Sequence, residues 1–136
     1  KACASLTCAV ADATVPKVTV IVGKAYGSAY LAMNSRHIGA DLVYAYPKAQ
    51  IGMMDAKGAA SIIYADELKE AKDAQALLEE KTAAYEALQT SPVSAAKRGY
   101  VDSIIEPAAT RKRVIAAFEM LYTKREDRPV KKHGTI

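Results

Sequence analysis

Three of the smallest residues in the chain, Gly27-Ser28-Ala29, stand at the centre of "VTVIVGKAYGSAYLAMNSRHIGADLVYAYPKAQIGMM", residues 18–54. They lie between an apolar run and a helix-forming segment. A strand that enters a helix at small residues leaves the first helical N–H groups unpaired and pointing outward. The helix dipole adds partial positive charge at the same place. With no bulky side chain in the way, the backbone can aim its donors at an oxygen that gains negative charge, as an oxyanion hole does. Tight packing of a strand on a helix asks for the same small residues, and spacing alone leaves both uses open.

Side-chain chemistry is scarce by comparison. The histidines are His37, within a predicted helical segment, and His133, in a polar tail. Neither has a metal-type partner at helical spacing, and a surface or structural role suits both. Asp55 could serve as a catalytic carboxylate or as a helix cap, the cap being the more ordinary use. Cys3 and Cys8 match neither a C-x-x-C site nor a disulfide framework, and read as small buried thiols of a cytosolic protein. No Ser–His–Asp or Cys–His set assembles. There is no G-x-G-x-x-G and no G-x-x-x-x-G-K-[ST], so a nucleotide-phosphate loop is unsupported.

The elements that must position Gly27-Ser28-Ala29 follow from local pattern. Residues 18–22, "VTVIV", form a β-branched run between Pro16 and Gly23 and predict a buried strand. Residues 31–38 predict a helix. Residues 41–46, stopped by Pro47, and 49–54 predict two more strands. Asp55 caps a helix through "AKGAASIIYA". Residues 66–90 carry Leu68, Ala71, Ala74, Leu78, Tyr85 and Leu88 at helical spacing, which predicts one long, exposed amphipathic helix. Ser91-Pro92 restarts a helix that ends at Gly99. Residues 100–106 predict a last strand. Residues 110–124 predict a second amphipathic helix, with Val114, Ile115, Phe118, Leu121 and Tyr122 on its apolar face, before a polar tail over 125–136. Strands alternating with helices make the class α/β. The sequence shows no internal repeat. A sheet of only about four short strands suggests that part of the domain is missing.

The 136 residues suffice for one core, and half of them are apolar. No apolar run approaches the ~20 residues of a membrane helix, and no signal peptide is visible. The chain opens without Met and in mid-helix pattern, which suggests a piece of a longer polypeptide. The net charge of +4 is concentrated in "RKR" at 111–113, "KRE" at 124–126 and "KKH" at 131–133. Without interleaved aromatics, these read as a solvated basic end or a subunit contact rather than a nucleic-acid surface.

As a set, the residues resemble a known family. "ATVPKVTVIVGKAYGSAYLAMNSRHIGADLVYAYPKAQIGMMDAKGA", "SPVSAAKRGYVDSIIEPAATRKRVIAAFEML" and the closing "KKHGTI" are similar, in order and from Ala13 onward, to the biotin-dependent acyl-CoA carboxyltransferases. The resemblance implies a crotonase-like ββα spiral. It makes this chain the C-terminal portion of the C-terminal, biotin-binding domain. It implies a cytoplasmic carboxyltransferase that moves CO2 between carboxybiotin and the α-carbon of a short acyl-CoA. The partners implied are biotin carboxylase and biotin carboxyl carrier subunits, or decarboxylase subunits, within a dimer or hexamer of the carboxyltransferase itself. No metal is implied. Carried over by motif, Gly27, Ser28, Ala29 and Tyr30 would meet biotin, with the N–H groups of Ser28 and Ala29 stabilising the ureido oxyanion. Leu31 would help set acyl preference.

Two positions depart from the pattern. Most members have Gly-Gly where this chain has Gly27-Ser28, and many propionyl-CoA carboxylases have Asp where it has Leu31. An apolar Leu31 weakens the case for a strict propionyl-CoA enzyme. The same chemistry run in reverse implies a decarboxylase or transcarboxylase subunit. The fragment by itself could act only as an inert assembly module.

Overall fold

The computed structural model describes residues 1–128. Helix α1 (Ala2–Asp12) precedes two strand–strand–helix units. The first is β1 (Val18–Ile21), β2 (Lys24–Tyr26) and α2 (Gly27–Ala32). The second is β3 (Leu42–Ala45), β4 (Gln50–Gly52) and α3 (Ala56–Ile63). There follow α4 (Ala65–Glu70), α5 (Ala74–Tyr85), one π-helical turn (Glu86–Thr90), α6 (Pro92–Lys97), β5 (Ser103–Ile104) and α7 (Thr110–Met120). All strand pairs are parallel. One sheet has the order β1-β3-β5, and a second pairs β2 with β4. The two units lie side by side, since Ile21 pairs with Ala45 in one sheet and Lys24 with Gln50 in the other. The repeat unseen in the sequence is therefore present in the backbone.

β3 is the centre of the core because both its faces are covered, as parallel strands require. Val43 and Ala45 point into a cluster with Ile21, Ile51, Ala95 and Val101, while Tyr44 points the other way, toward Ile105 and Ala117. Arg36 and Asp102 lock this arrangement from outside: the Asp102 carboxylate accepts from Val43 N at 2.8 Å and from the Arg36 guanidinium. Truncating the buried Ile51 to Ala would cost about 2–5 kcal/mol.

Several expected elements differ. The single helix over 66–90 is broken at 71–73, where Ala71 is extended and Asp73 caps a new helix by accepting from Ala76 N. The break lets α5 fold back against α3, so it is no exposed arm. Lys81 then reaches Glu67 at 2.7 Å and lies 4.3 Å from the Tyr64 ring centroid. The helix expected over 31–38 begins earlier, at Gly27, and stops at Ala32. Asn34 then adopts φ +60 and a short 3-10 turn covers Arg36–Ile38. On α7 only Ala117 is buried, and Ile115, Phe118 and Tyr122 of the apolar face read from the sequence are exposed. Cys3 is exposed and Cys8 half-buried, so the buried thiols expected are not found. The capping by Asp55 and Ser91 and the helix end at Gly99, φ +81, are as expected.

Of the polar tail, residues 125–128 carry no helix or strand. Arg128 ties them to Asp12 of α1 at 3.8 Å, and Glu126 pairs at 3.2 Å with Lys124, which also meets Asp41 at 2.8 Å. Residues 129–136, with His133, lie outside the described residues. Among the described residues no helix is long and apolar enough to cross a membrane.

Candidate functional site

β2 runs straight into α2, and the turn between them is built by Gly27. Its φ is +61, a left-handed value that disfavours any side chain, and a Cβ there would come within 3.1 Å of the Met53 carbonyl oxygen. Conformation and space both demand glycine. Tyr26 is the N-cap residue, and no side chain caps the helix. Ser28 and Ala29, the next two residues, are exposed. At the second and third helical positions their N–H groups have no intrahelical acceptor, so they face outward as bare donors beside the positive end of the helix.

Behind this turn lies a cavity of about 430 Å³. Gly27, Tyr30 and Leu31 line it from α2, and Ile51, Gly52 and Met53 from β4 and its exit. The floor and far wall come from Tyr85, Gln89, Thr90, Ala95, Arg98 and Tyr100. The structure thus brings Gly27, Tyr30 and Leu31 into one hollow and leaves Ser28 and Ala29 on the outer face of the same turn. The Tyr30 hydroxyl is buried without a hydrogen-bond partner. Burial, and secondarily Tyr100, pushes its pKa up and keeps it protonated. His37 also lines the cavity, its ring 4.6 Å from Tyr100 and 6.4 Å from Tyr30 between centroids. It makes aromatic contacts there, in keeping with a structural role.

Asp55 is occupied as a cap: its carboxylate accepts from Gly58 N at 3.2 Å. Among the described residues no three of His, Cys, Asp and Glu are grouped to hold a metal ion. The residues from 85 to 100 were not foreseen as lining. They carry no motif, and only the fold-back of α5 and the π turn bring Tyr85 and Gln89 to Arg98, whose guanidinium donates to Gln89. The site offers backbone donors, an adjoining cavity and no side-chain base at the turn.

Comparison with known proteins gives this arrangement a family. Residues 1–136 match the model of the carboxyl transferase domain. The chain is 51% identical over 137 aligned positions to the propionyl-CoA carboxylase beta chain of Saccharopolyspora erythraea, covering 98% of this chain and 25% of that protein. It is 48% identical over 133 residues to the methylmalonyl-CoA decarboxylase subunit alpha of Propionigenium modestum, covering 98% and 26%. Among solved structures it superposes on a chain of transcarboxylase 12S, whose hexamer assembly was solved with methylmalonyl-coenzyme A and methylmalonic acid bound. That match has a TM-score of 0.91 and 49% identity, over 96% of this chain and 25% of that one. The chain spans about a quarter of the length of these relatives. The fold is α/β and crotonase-like, as the resemblance implied. Matched by the family model from its first residue to its last, the chain belongs to the carboxyl transferase domain family.

Proposed function

We propose that the complete protein carrying this sequence is the carboxyltransferase component of a biotin-dependent acyl-CoA carboxylase. It moves a carboxyl group between biotin on a carrier and the α-carbon of a short acyl-CoA. In this reading residues 1–136 are the C-terminal portion of its C-terminal, biotin-binding domain. The observation that carries the reading is the bare start of α2, where Gly27 at φ +61 leaves the exposed Ser28 and Ala29 N–H groups free of side-chain caps.

The donor set fits biotin. A ureido oxygen is an acceptor, and the turn presents donors with nothing larger than a hydroxymethyl beside them. The N–H groups of Ser28 and Ala29 would hold that oxygen, Gly27 would shape the turn, and Tyr30 would wall the approach. Bound there, biotin supplies a ureido nitrogen that carries the carboxyl group and accepts the proton from the α-carbon. The protein's own part is fixed donors that need no reorganisation as charge develops, the usual source of a large rate effect. This agrees with the lack of a side-chain base at the turn. Leu31, on the cavity wall, presents an apolar surface to the acyl group.

The relatives favour a second reading as well. A methylmalonyl-CoA decarboxylase subunit and a transcarboxylase are nearly as similar as the propionyl-CoA carboxylase chain. The same donors serve the transfer in reverse, and the partner subunits set the direction. Those partners are biotin carboxylase and carrier subunits in one case and decarboxylase subunits in the other. The hexamer assembly of the 12S relative supports a homo-oligomer. The protein acts in the cytoplasm, where cysteines such as the exposed Cys3 stay reduced. Residues 1–136 alone, with one wall of the site, form an inactive assembly module.

Free biotin and methylmalonyl-CoA or malonyl-CoA, mixed with the complete protein, test the reading. Biotin-dependent release of CO2 by the complete protein and none by residues 1–136 is the expected result. A folded complete protein that turns over neither substrate would require a different acyl-CoA or remove biotin as the partner.

A further inference from the structure

We propose that Tyr26, Gln50 and Glu86 form a positioning set that fixes the donor turn, with Gln50 as its central member. The inference rests on the reading of Ser28 and Ala29 as oxyanion donors. Tyr26 ends β2 and is the N-cap residue of α2, so any shift of its backbone moves Gly27 and the two donors with it. Its own side chain does not cap the helix. The phenol donates instead to Gln50 Oε1 at 2.8 Å, and Gln50 Nε2 in turn donates to the Glu86 carboxylate.

Each member is anchored on a different element. Gln50 opens β4, in register with Lys24 of β2, two residues from the position where Tyr26 faces Gly52. The Tyr26 ring packs beside Gly52, 3.8 Å from where a Cβ there would stand. Glu86 opens the π turn, which Thr90 closes by donating from Oγ1 to the Glu86 carbonyl at 3.0 Å. Thr90 is 1% exposed. Three segments distant in sequence therefore meet behind the turn through one amide whose acceptor and donor ends are both in use. Glutamine suits the place because its carbonyl accepts from the phenol while its NH2 donates to the carboxylate. Single π turns recur at functional sites, and here one supplies the outer anchor.

Donors must be held within about 0.5 Å of their productive place, and a misplacement of about 1 Å costs on the order of 10²-fold. The set acts through backbone, so these are positioning residues. The test uses the complete protein with methylmalonyl-CoA and free biotin, and reads kcat, KM and melting temperature. Gln50→Glu sets two carboxylates against each other. Its kcat should fall roughly tenfold or more with KM for the acyl-CoA little changed. Q50E/E86Q exchanges the donor and acceptor ends and should restore most of the rate. Tyr26→Phe, which removes one oxygen and keeps the ring, should lower kcat several-fold at an unchanged melting temperature. A Gln50→Glu enzyme as fast as wild type overturns the proposal, and so does a well-folded Q50E/E86Q as slow as the single variant. Ala29→Pro, assayed alongside, separates the two ideas. If it is slow while the Gln50 variants are not, only the positioning role fails. If it keeps full rate, the donor reading fails and takes the positioning role with it.

Discussion

The two strand–strand–helix units follow the same path and treat their helix starts in opposite ways. The second unit ends at α3, where Asp55 caps the helix by accepting from Gly58 N. The first ends at α2, which has no side-chain cap and begins Gly27-Ser28-Ala29. An unsatisfied helix start is ordinarily closed by Ser, Thr, Asp or Asn at the N-cap, at a gain of about 1 kcal/mol. The chain takes that gain in one unit and leaves it in the other, where Tyr26 occupies the cap position and sends its phenol elsewhere. Under the proposed function, the uncapped start is the one whose free donors meet a ligand.

Breaking the bare start should have the largest effect. Ala29→Pro deletes one donor, and turnover of the complete protein should fall by roughly 10²–10³, as read by biotin-dependent release of CO2. An unchanged rate in a folded variant would return Gly27-Ser28-Ala29 to the alternative of tight packing. Next in size is Leu31→Asp. It changes the cavity wall next to the turn and leaves the donors alone, so the ratio of kcat/KM between two acyl-CoA substrates should shift more than the maximal rate. Equal loss on all substrates would argue against Leu31 as a selector.

The capped start should answer in stability only. Asp55→Ala should cost about 1 kcal/mol in denaturant unfolding and leave the rate per folded molecule as it was. A large loss of rate would give Asp55 a chemical role that its occupied cap does not suggest. Smallest of all is Ser28→Gly. The backbone donor survives and only the hydroxymethyl goes, so activity should stay near wild type. A complete loss would show that the hydroxyl takes part.

What the sequence revealed depended on how local the signal was. The strands predicted over 18–22, 41–46 and 49–54 appear as β1, β3 and β4: the first is a β-branched run, and the other two are short apolar stretches set apart by Pro47. Asp55, Ser91-Pro92 and Gly99 act as read, since capping and left-handed turns are decided within a few residues. β2 was missed. Lys24-Ala25-Tyr26 has little strand propensity and is extended only because it pairs with β4. Without it, the repeat of the two units stayed hidden. The break at 71–73 was also illegible, because the helical period runs on through it and the reversal is set by packing on α3. At the site, Gly27 to Leu31 were visible from residue type and from the family motif. Arg98, Tyr100 and Gln89 were not, because folding alone brings them to the cavity.

In the proposed function the N–H groups of Ser28 and Ala29 hold the ureido oxygen of biotin. A crystal structure of the complete protein with biotin bound tests it most directly. The ureido oxygen should lie about 2.7–3.1 Å from those two nitrogens, with Gly27 still at positive φ. A ureido oxygen held elsewhere, by a side chain or by another helix start, would contradict it.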